Sequence, residues 1–93
     1  MANKVWSITY TSYGKAHIVS GLSKAEAKKA WKDIMIDYGT NTNMSAHCRE
    51  AYLERNDKII CQKNGDYWFL NDEMIACNAI WSREEIDLAI AAI

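Results

Sequence analysis

The chain has no proline, only four glycines and three cysteines among its 93 residues. No apolar run approaches the roughly 18 residues of a membrane-spanning helix, so we expect no membrane span. The first residues also lack the apolar core of a signal peptide. Because three cysteines cannot all pair, we expect reduced thiols and a cytoplasmic protein.

Apolar residues make up 49% of the chain and aromatic residues 11%. That is enough to bury a core, which excludes intrinsic disorder, and the length has room for a single domain, residues 1–93. The net charge of −1 is unevenly divided. Residues 1–32 hold six lysines and one acid, whereas residues 33–93 hold five basic residues and eleven acids. Such a division marks an interaction surface unless folding mixes the two segments.

Alternation of side chains predicts a first β-hairpin near the N-terminus. Residues 4–12 alternate polar and apolar side chains, Tyr13-Gly14 supplies a turn, and residues 15–20 return as a second strand. A two-residue loop sets Tyr10 opposite His17, and a three-residue loop sets it opposite Ile18.

Asn64-Gly65 predicts a second hairpin, because both positions of a tight turn favour positive φ. A two-residue loop there places Lys63 opposite Asp66. It also divides the apolar residues between two faces: Ile59, Cys61, Trp68 and Leu70 on one, and Ile60, Tyr67 and Phe69 on the other.

Two capping boxes predict helices, one at Ser23 with Glu26 and one at Ser82 with Glu85. The first helix covers residues 24–38, with Gly39 as the left-handed residue that ends it. We predict a shorter helix from Ser45, or Asn43, to about Arg55, and a strand over residues 74–81. The order ββα-α-βββα describes a two-layer α+β domain in which helices pack on an antiparallel sheet.

The usual signatures of chemistry are missing. The soft metal ligands do not occur at the spacing of a metal site, and glycine-rich phosphate loops and nucleophile elbows are absent; these ligands are His17, His47, Cys48, Cys61 and Cys77. Carboxylate pairs fall at helix starts and turns, where capping explains them. We therefore expect no catalytic residue, no metal and no cofactor.

Nucleic-acid binding is the alternative function. A strip of lysines beside the apolar stripe of the first helix could neutralise phosphates; its members are Lys24, Lys28, Lys29 and Lys32. The competing interpretation is a solvated helix face, because acids line the other flank and Lys29 can pair with Asp33.

Apolar side chains on both faces of the second hairpin predict a protein-binding surface. A sheet with helices on one side exposes the other set, unless the middle helix covers it. We expect the contact surface to include Ile60, Tyr67 and Phe69, flanked by Asp72 and Glu73. A homodimer is a further alternative for this surface.

In size, α+β layout, lack of proline, absent catalytic motifs and divided charge, the chain resembles small phage-encoded inhibitors of bacterial defence, including anti-CRISPR proteins. The resemblance is one of overall style and transfers no residue. It implies a non-enzymatic protein in the host cytoplasm that occupies a surface of a host nuclease or effector complex. The acids nearest the aromatic residues suit that mode of action: Asp66, Asp72, Glu73, Glu84 and Glu85.

Overall fold

A computed structural model describes residues 4–77 and 80–93. Six antiparallel strands form one sheet in the order β2-β1-β3-β4-β5-β6. The strands are β1 (Trp6–Ser12), β2 (Lys15–Leu22), β3 (Glu50–Arg55), β4 (Lys58–Asn64), β5 (Tyr67–Leu70) and β6 (Glu73–Cys77). The helices are α1 (Lys24–Gly39), α2 (Thr42–Ser45) and α3 (Arg83–Ala91). No helix within the described residues is long and apolar enough to cross a membrane.

The α+β class is confirmed, and the predicted elements occur in the predicted order with one further strand. That strand is β3, and it corrects the prediction of a helix running to Arg55, because α2 ends at Ser45. Ala51 and Leu53 are buried and alternate with more exposed neighbours, which is the burial pattern of a strand. The strand predicted over residues 74–81 is also shorter: β6 ends at Cys77, and residues 78–79 lie outside the described residues.

The helices α1 and α3 cover one face of the sheet, and the core lies between these two layers. Trp68 of β5 occupies its middle, where its ring meets Trp31 of α1 and Trp81 edge to face, with centroids 6.0 Å apart in both pairs. Edge-to-face contacts are favourable for aromatic rings beyond the area they bury. Ile86 of α3 is fully buried in the same core.

Both predicted capping boxes are confirmed. Ser23 accepts from the backbone N–H of Glu26, whose carboxylate accepts from the Ser23 N–H in return, and Ser82 and Glu85 do the same. The hydrogen bond from the serine backbone N–H to the carboxylate, followed by one with the serine side chain, lowers the pKa of each glutamate. The end of α1 differs from prediction: Gly39 is the last helical residue and Thr40 is the cap.

The first hairpin has the two-residue loop, with Tyr10 opposite His17. The second turn lies one residue later than predicted: it is Gly65-Asp66, with Gly65 at φ +59° in the first position. This corrects the predicted pairing of Lys63 with Asp66, because Lys63 lies opposite Trp68. Glycine in the first position of a tight turn is typical of a type II′ hairpin.

A bulge in β4 corrects the predicted position of Ile60. Leu53 lies opposite Cys61 and Glu54 lies opposite Ile59, so Ile60 is the extra residue. The bulge turns Ile59 outward, where 38% of its side chain is exposed, and packs Ile60 against the core. Ile60 therefore does not share a face with Tyr67 and Phe69.

Candidate functional site

The sheet has a second face, turned away from α1 and α3, which we call the open face. One row of directly opposed residues crosses all six strands on it: Ile18, Thr9, Tyr52, Gln62, Phe69 and Met74. Tyr67 and Asn64, which pair with each other, lie beside this row. Because side chains alternate along a strand, residues of one row share one face.

Apolar side chains on the open face are well exposed. The exposed fraction is 72% for Ile18, 57% for Met74 and 47% for Tyr67, while Tyr52 and Phe69 are half-buried by their neighbours. An antiparallel sheet face that meets only water usually carries polar side chains. A row in which four of six side chains are apolar or aromatic is instead typical of an interaction surface.

The open face has carboxylates, and no lysine or arginine occupies an open-face position of the six described strands. Glu50 and Glu54 flank Tyr52 on β3, each two residues from it and therefore on the same face. The ion pairs of the described residues are elsewhere, at Lys4–Glu26 (3.6 Å) and Lys32–Asp87 (2.8 Å). The face is therefore acidic as well as apolar.

Of the five residues predicted to bind a protein, two lie together on the open face. These are Tyr67 and Phe69, whereas Ile60 packs on the core side. Asp72 lies in the β5–β6 turn at φ +68°, a conformation that Asp tolerates well, and Glu73 is opposite Leu70 on the helix-covered side. Their role in binding stays a prediction, and Asp72 already has a structural role in its turn.

The open face also contains residues that sequence reasoning missed, chiefly Ile18, Tyr52 and Met74. Tyr52 falls within the helix predicted to run to about Arg55, which the structure replaces by β3. The alternation of Glu50, Tyr52 and Glu54 with Ala51 and Leu53 is the signal that could have identified β3 and its exposed side.

The lysines of α1 lie outside the open face. Lys24 and Lys29 are exposed, Lys28 is half-buried, and Lys32 donates to Asp87 of α3 at 2.8 Å. An ion pair within the chain already balances one charge of the strip, which weakens its attraction for phosphates. Nucleic-acid binding by these lysines stays a prediction.

Two of the three cysteine thiols are buried, and both histidines stack on tyrosine rings. Cys48 and Cys61 are buried, and each histidine stacks on a tyrosine, His17 on Tyr10 at 4.9 Å and His47 on Tyr13 at 4.2 Å between ring centroids. Among the described residues, no group of three or more His, Cys, Asp or Glu side chains could hold a metal ion.

Lys63 is fully buried and was not anticipated as a structural residue. Its Nζ donates to the backbone oxygens of Ser45 (3.1 Å) at the end of α2, of Cys48 in the α2–β3 loop, and of Gly65 (2.6 Å) in the β4–β5 turn. The ring of Trp68 lies beneath the ammonium at 5.6 Å. Burial lowers the pKa of Lys63, while the nearby Cys48 and Asp66 oppose that shift. Lys63 thus holds the loops at one end of the sheet together.

A cleft of about 440 Å³ opens beside these loops. Its wall is the stacked pair Tyr13 and His47, joined by a backbone hydrogen bond of 2.9 Å from the Tyr13 N–H to the His47 oxygen. Arg49 and Glu50 at its rim have opposite charges, so its electrostatics favour no single class of ligand. We therefore place the candidate functional site on the open face.

The buried thiol of Cys61 makes stability depend on pH. Burial raises its pKa from 9.0 to about 12. Above pH 9 the unfolded chain loses this proton while the folded chain keeps it, so the free energy of unfolding falls by up to about 1.4 kcal/mol per pH unit. Cys48, whose pKa burial also raises, acts in the same direction, whereas Lys63 acts in the opposite one. We expect Cys61→Ala to reduce the decline between pH 9 and 11, measured by urea unfolding.

Ile8→Val is the control, because it changes a buried side chain of the same core that carries no titratable group, and it should leave the pH dependence of stability intact. A decline of equal slope in the wild type and in Cys61→Ala would contradict this account.

Comparisons with protein-family models, with curated proteins and with solved structures give no match to this chain. The functional argument therefore rests on the geometry of the open face.

Proposed function

We propose that this protein binds another protein through the open face and has no chemistry of its own. The observation that carries the proposal is the cross-strand row from Ile18 to Met74, which spans all six strands without a described helix over it. Burying such a row against a partner removes its apolar surface from water, which is the main driving force of association. Tyr52, Tyr67 and Phe69 supply the aromatic groups that commonly dominate binding energy.

Charge supports a protein partner with a basic surface. The carboxylates of Glu50 and Glu54 would repel phosphates, which disfavours nucleic acid on this face. A second copy of the chain would bring its own glutamates towards these two, and like charges across an interface are costly. A different protein that combines apolar groups with arginine or lysine complements the face best. Following the resemblance drawn from the sequence, that partner would be a host nuclease or effector complex, which the protein would inhibit by covering its surface.

Site-specific photo-crosslinking tests the proposal. A benzophenone amino acid is placed at position 69 on the open face, or at position 88 on α3 as the matched control, since Leu88 is also apolar and is 72% exposed. Each protein is irradiated in nuclease-treated bacterial lysate, and the crosslinked protein is identified and purified. The proposal requires that the benzophenone at position 69 crosslink to a protein that the benzophenone at position 88 does not.

Phe69→Ala should then weaken binding to the purified partner by about 30-fold or more, which corresponds to the 2 kcal/mol of an interface hot spot. Because Phe69 is only half-buried, the melting temperature of the Phe69→Ala protein should differ from that of the wild type by a few degrees at most. Leu88→Ala is the control and should leave affinity unchanged. If Phe69→Ala unfolds the domain, or if binding survives it, the surface is misassigned.

The lysine strip predicts a different outcome. Recovery of nucleic acid alone, lost at high salt and in Lys24→Glu or Lys28→Glu, would replace the proposed function with nucleic-acid binding.

A further inference from the structure

The central strand β3 presents three side chains in line on the open face: Glu50, Tyr52 and Glu54. Alternate residues of a strand are about 7 Å apart, so each carboxylate stands one such step from the tyrosine ring. Tyr52 and Glu54 are half-buried, and Glu50 is exposed. The three side chains therefore place an aromatic residue between two carboxylates along one strand of the open face.

None of the residues paired with these glutamates across the sheet neutralises their charges. Glu54 lies between Ser7 and Ile59, and the residue opposite Glu50 on β4 is Asn64. Neither glutamate takes part in an ion pair among the described residues. Isolated carboxylates within an apolar patch lose hydration when a partner covers them, and this is costly unless the partner brings a cation.

We infer that Glu50, Tyr52 and Glu54 bind an arginine or lysine side chain of the protein partner, with the cation over the Tyr52 ring and a carboxylate beside it. This inference rests on the proposed function and adds the chemistry of the group recognised. Arginine fits better than lysine, because its planar guanidinium stacks on an aromatic ring while its N–H groups form two parallel hydrogen bonds to a carboxylate. Such an anchor fixes the register of the partner on a mostly apolar row.

A peptide titration followed by NMR tests the inference. The probe is an eight-residue peptide of alternating leucine and arginine, and the matched control replaces each arginine by citrulline, which is nearly isosteric and uncharged. We expect the arginine peptide to shift the backbone amide signals of Glu50, Tyr52 and Glu54, and its apparent affinity to exceed that of the citrulline peptide by about tenfold or more, the equivalent of one charge-assisted contact.

Two double variants separate this site from general attraction between opposite charges. Glu50→Gln/Glu54→Gln should reduce the affinity for the arginine peptide to that for the citrulline peptide. Asp33→Asn/Asp37→Asn removes the same charge from two exposed carboxylates, also four residues apart, on α1. That control should retain the affinity of the wild type.

The outcomes distinguish the inference from the proposed function. Equal binding of the two peptides at the open face, or equal losses in the two double variants, would overturn the arginine site while leaving the open face as a protein-binding surface. The purified partner gives a second test. If Phe69→Ala no longer binds this partner while Glu50→Gln/Glu54→Gln binds it as the wild type does, the arginine site is also overturned. If neither peptide shifts any open-face signal, the inference is wrong, and the photo-crosslinking result alone decides the proposed function.

Discussion

Lys63→Met is expected to lower the free energy of unfolding by about 3 kcal/mol, because it removes the donor shared by three backbone oxygens. The oxygens of Cys48 and Gly65 lose the hydrogen bond from Nζ, whereas that of Ser45 keeps a bond from the Cys48 N–H at 3.3 Å. Each buried polar group left unpaired costs about 1–3 kcal/mol. Relief from burying an ammonium group offsets part of that cost, since methionine fills a similar volume without charge.

Urea unfolding measures the change, and Lys58→Met is the control. Lys58 lies on the same strand but is exposed, so its replacement should alter stability by no more than about 0.5 kcal/mol. Hydrogen exchange adds a local readout: the amides of Tyr13 and Gly65, which donate to the His47 and Arg49 oxygens, should exchange faster in Lys63→Met. A variant as stable as the wild type would mean that burying the charge costs as much as its three hydrogen bonds contribute.

The parts of the fold that depend on near neighbours were predictable. A capping box joins residues three apart, so Ser23 with Glu26 and Ser82 with Glu85 identified both long helices correctly. The first hairpin was equally local, because one turn sets its register. Each of these features is determined within a few residues of chain.

The errors concern residues whose structure depends on distant partners. β3 is a strand because β1 lies along one of its edges, and Trp6 and Arg55, which pair, are far apart in sequence. Its apolar residues taken alone fit a helix as readily. The bulge at Ile60 likewise depends on how β4 fits β3, and no local motif specifies it.

The sequence predicted only some residues of the open face, and the reason is geometric. Moving the second turn from Asn64-Gly65 to Gly65-Asp66 shifts every pairing partner by two residues. Because side chains alternate with a period of two, a shift of two residues leaves each side chain on the same face of the sheet. Tyr67 and Phe69 were therefore placed together correctly despite the wrong register. Tyr52 and Ile18 joined them only through strand order, which brings β2 and β3 beside β1.

Gly39→Ala should destabilise the protein by about 2 kcal/mol, although the same change inside an exposed helix usually stabilises by up to about 1 kcal/mol. A Cβ at this position would lie 2.6 Å from Cδ1 of Trp81 and 3.3 Å from Cζ2 of Trp68. Both rings are buried and pack edge to face on each other, so neither can move away freely. Overpacking of this kind costs about 1–3 kcal/mol.

The contact between position 39 and the Trp81 ring also affects α3, because a backbone hydrogen bond joins the end of α1 to the residue before the α3 cap. The backbone N–H of Trp81 donates to the backbone oxygen of Gly39 at 2.7 Å, and Ser82, the next residue, caps α3. Displacing the Trp81 ring would therefore strain that bond and the helix that follows it. Urea unfolding measures the effect, and Asp37→Ala, an exposed change in the same turn, is the control that should leave the free energy of unfolding nearly unchanged. Gly39→Ala should lower the free energy of unfolding less in a Trp81→Phe background than in the wild type. If Gly39→Ala stabilises the wild type instead, the tryptophan rings are not what requires glycine here.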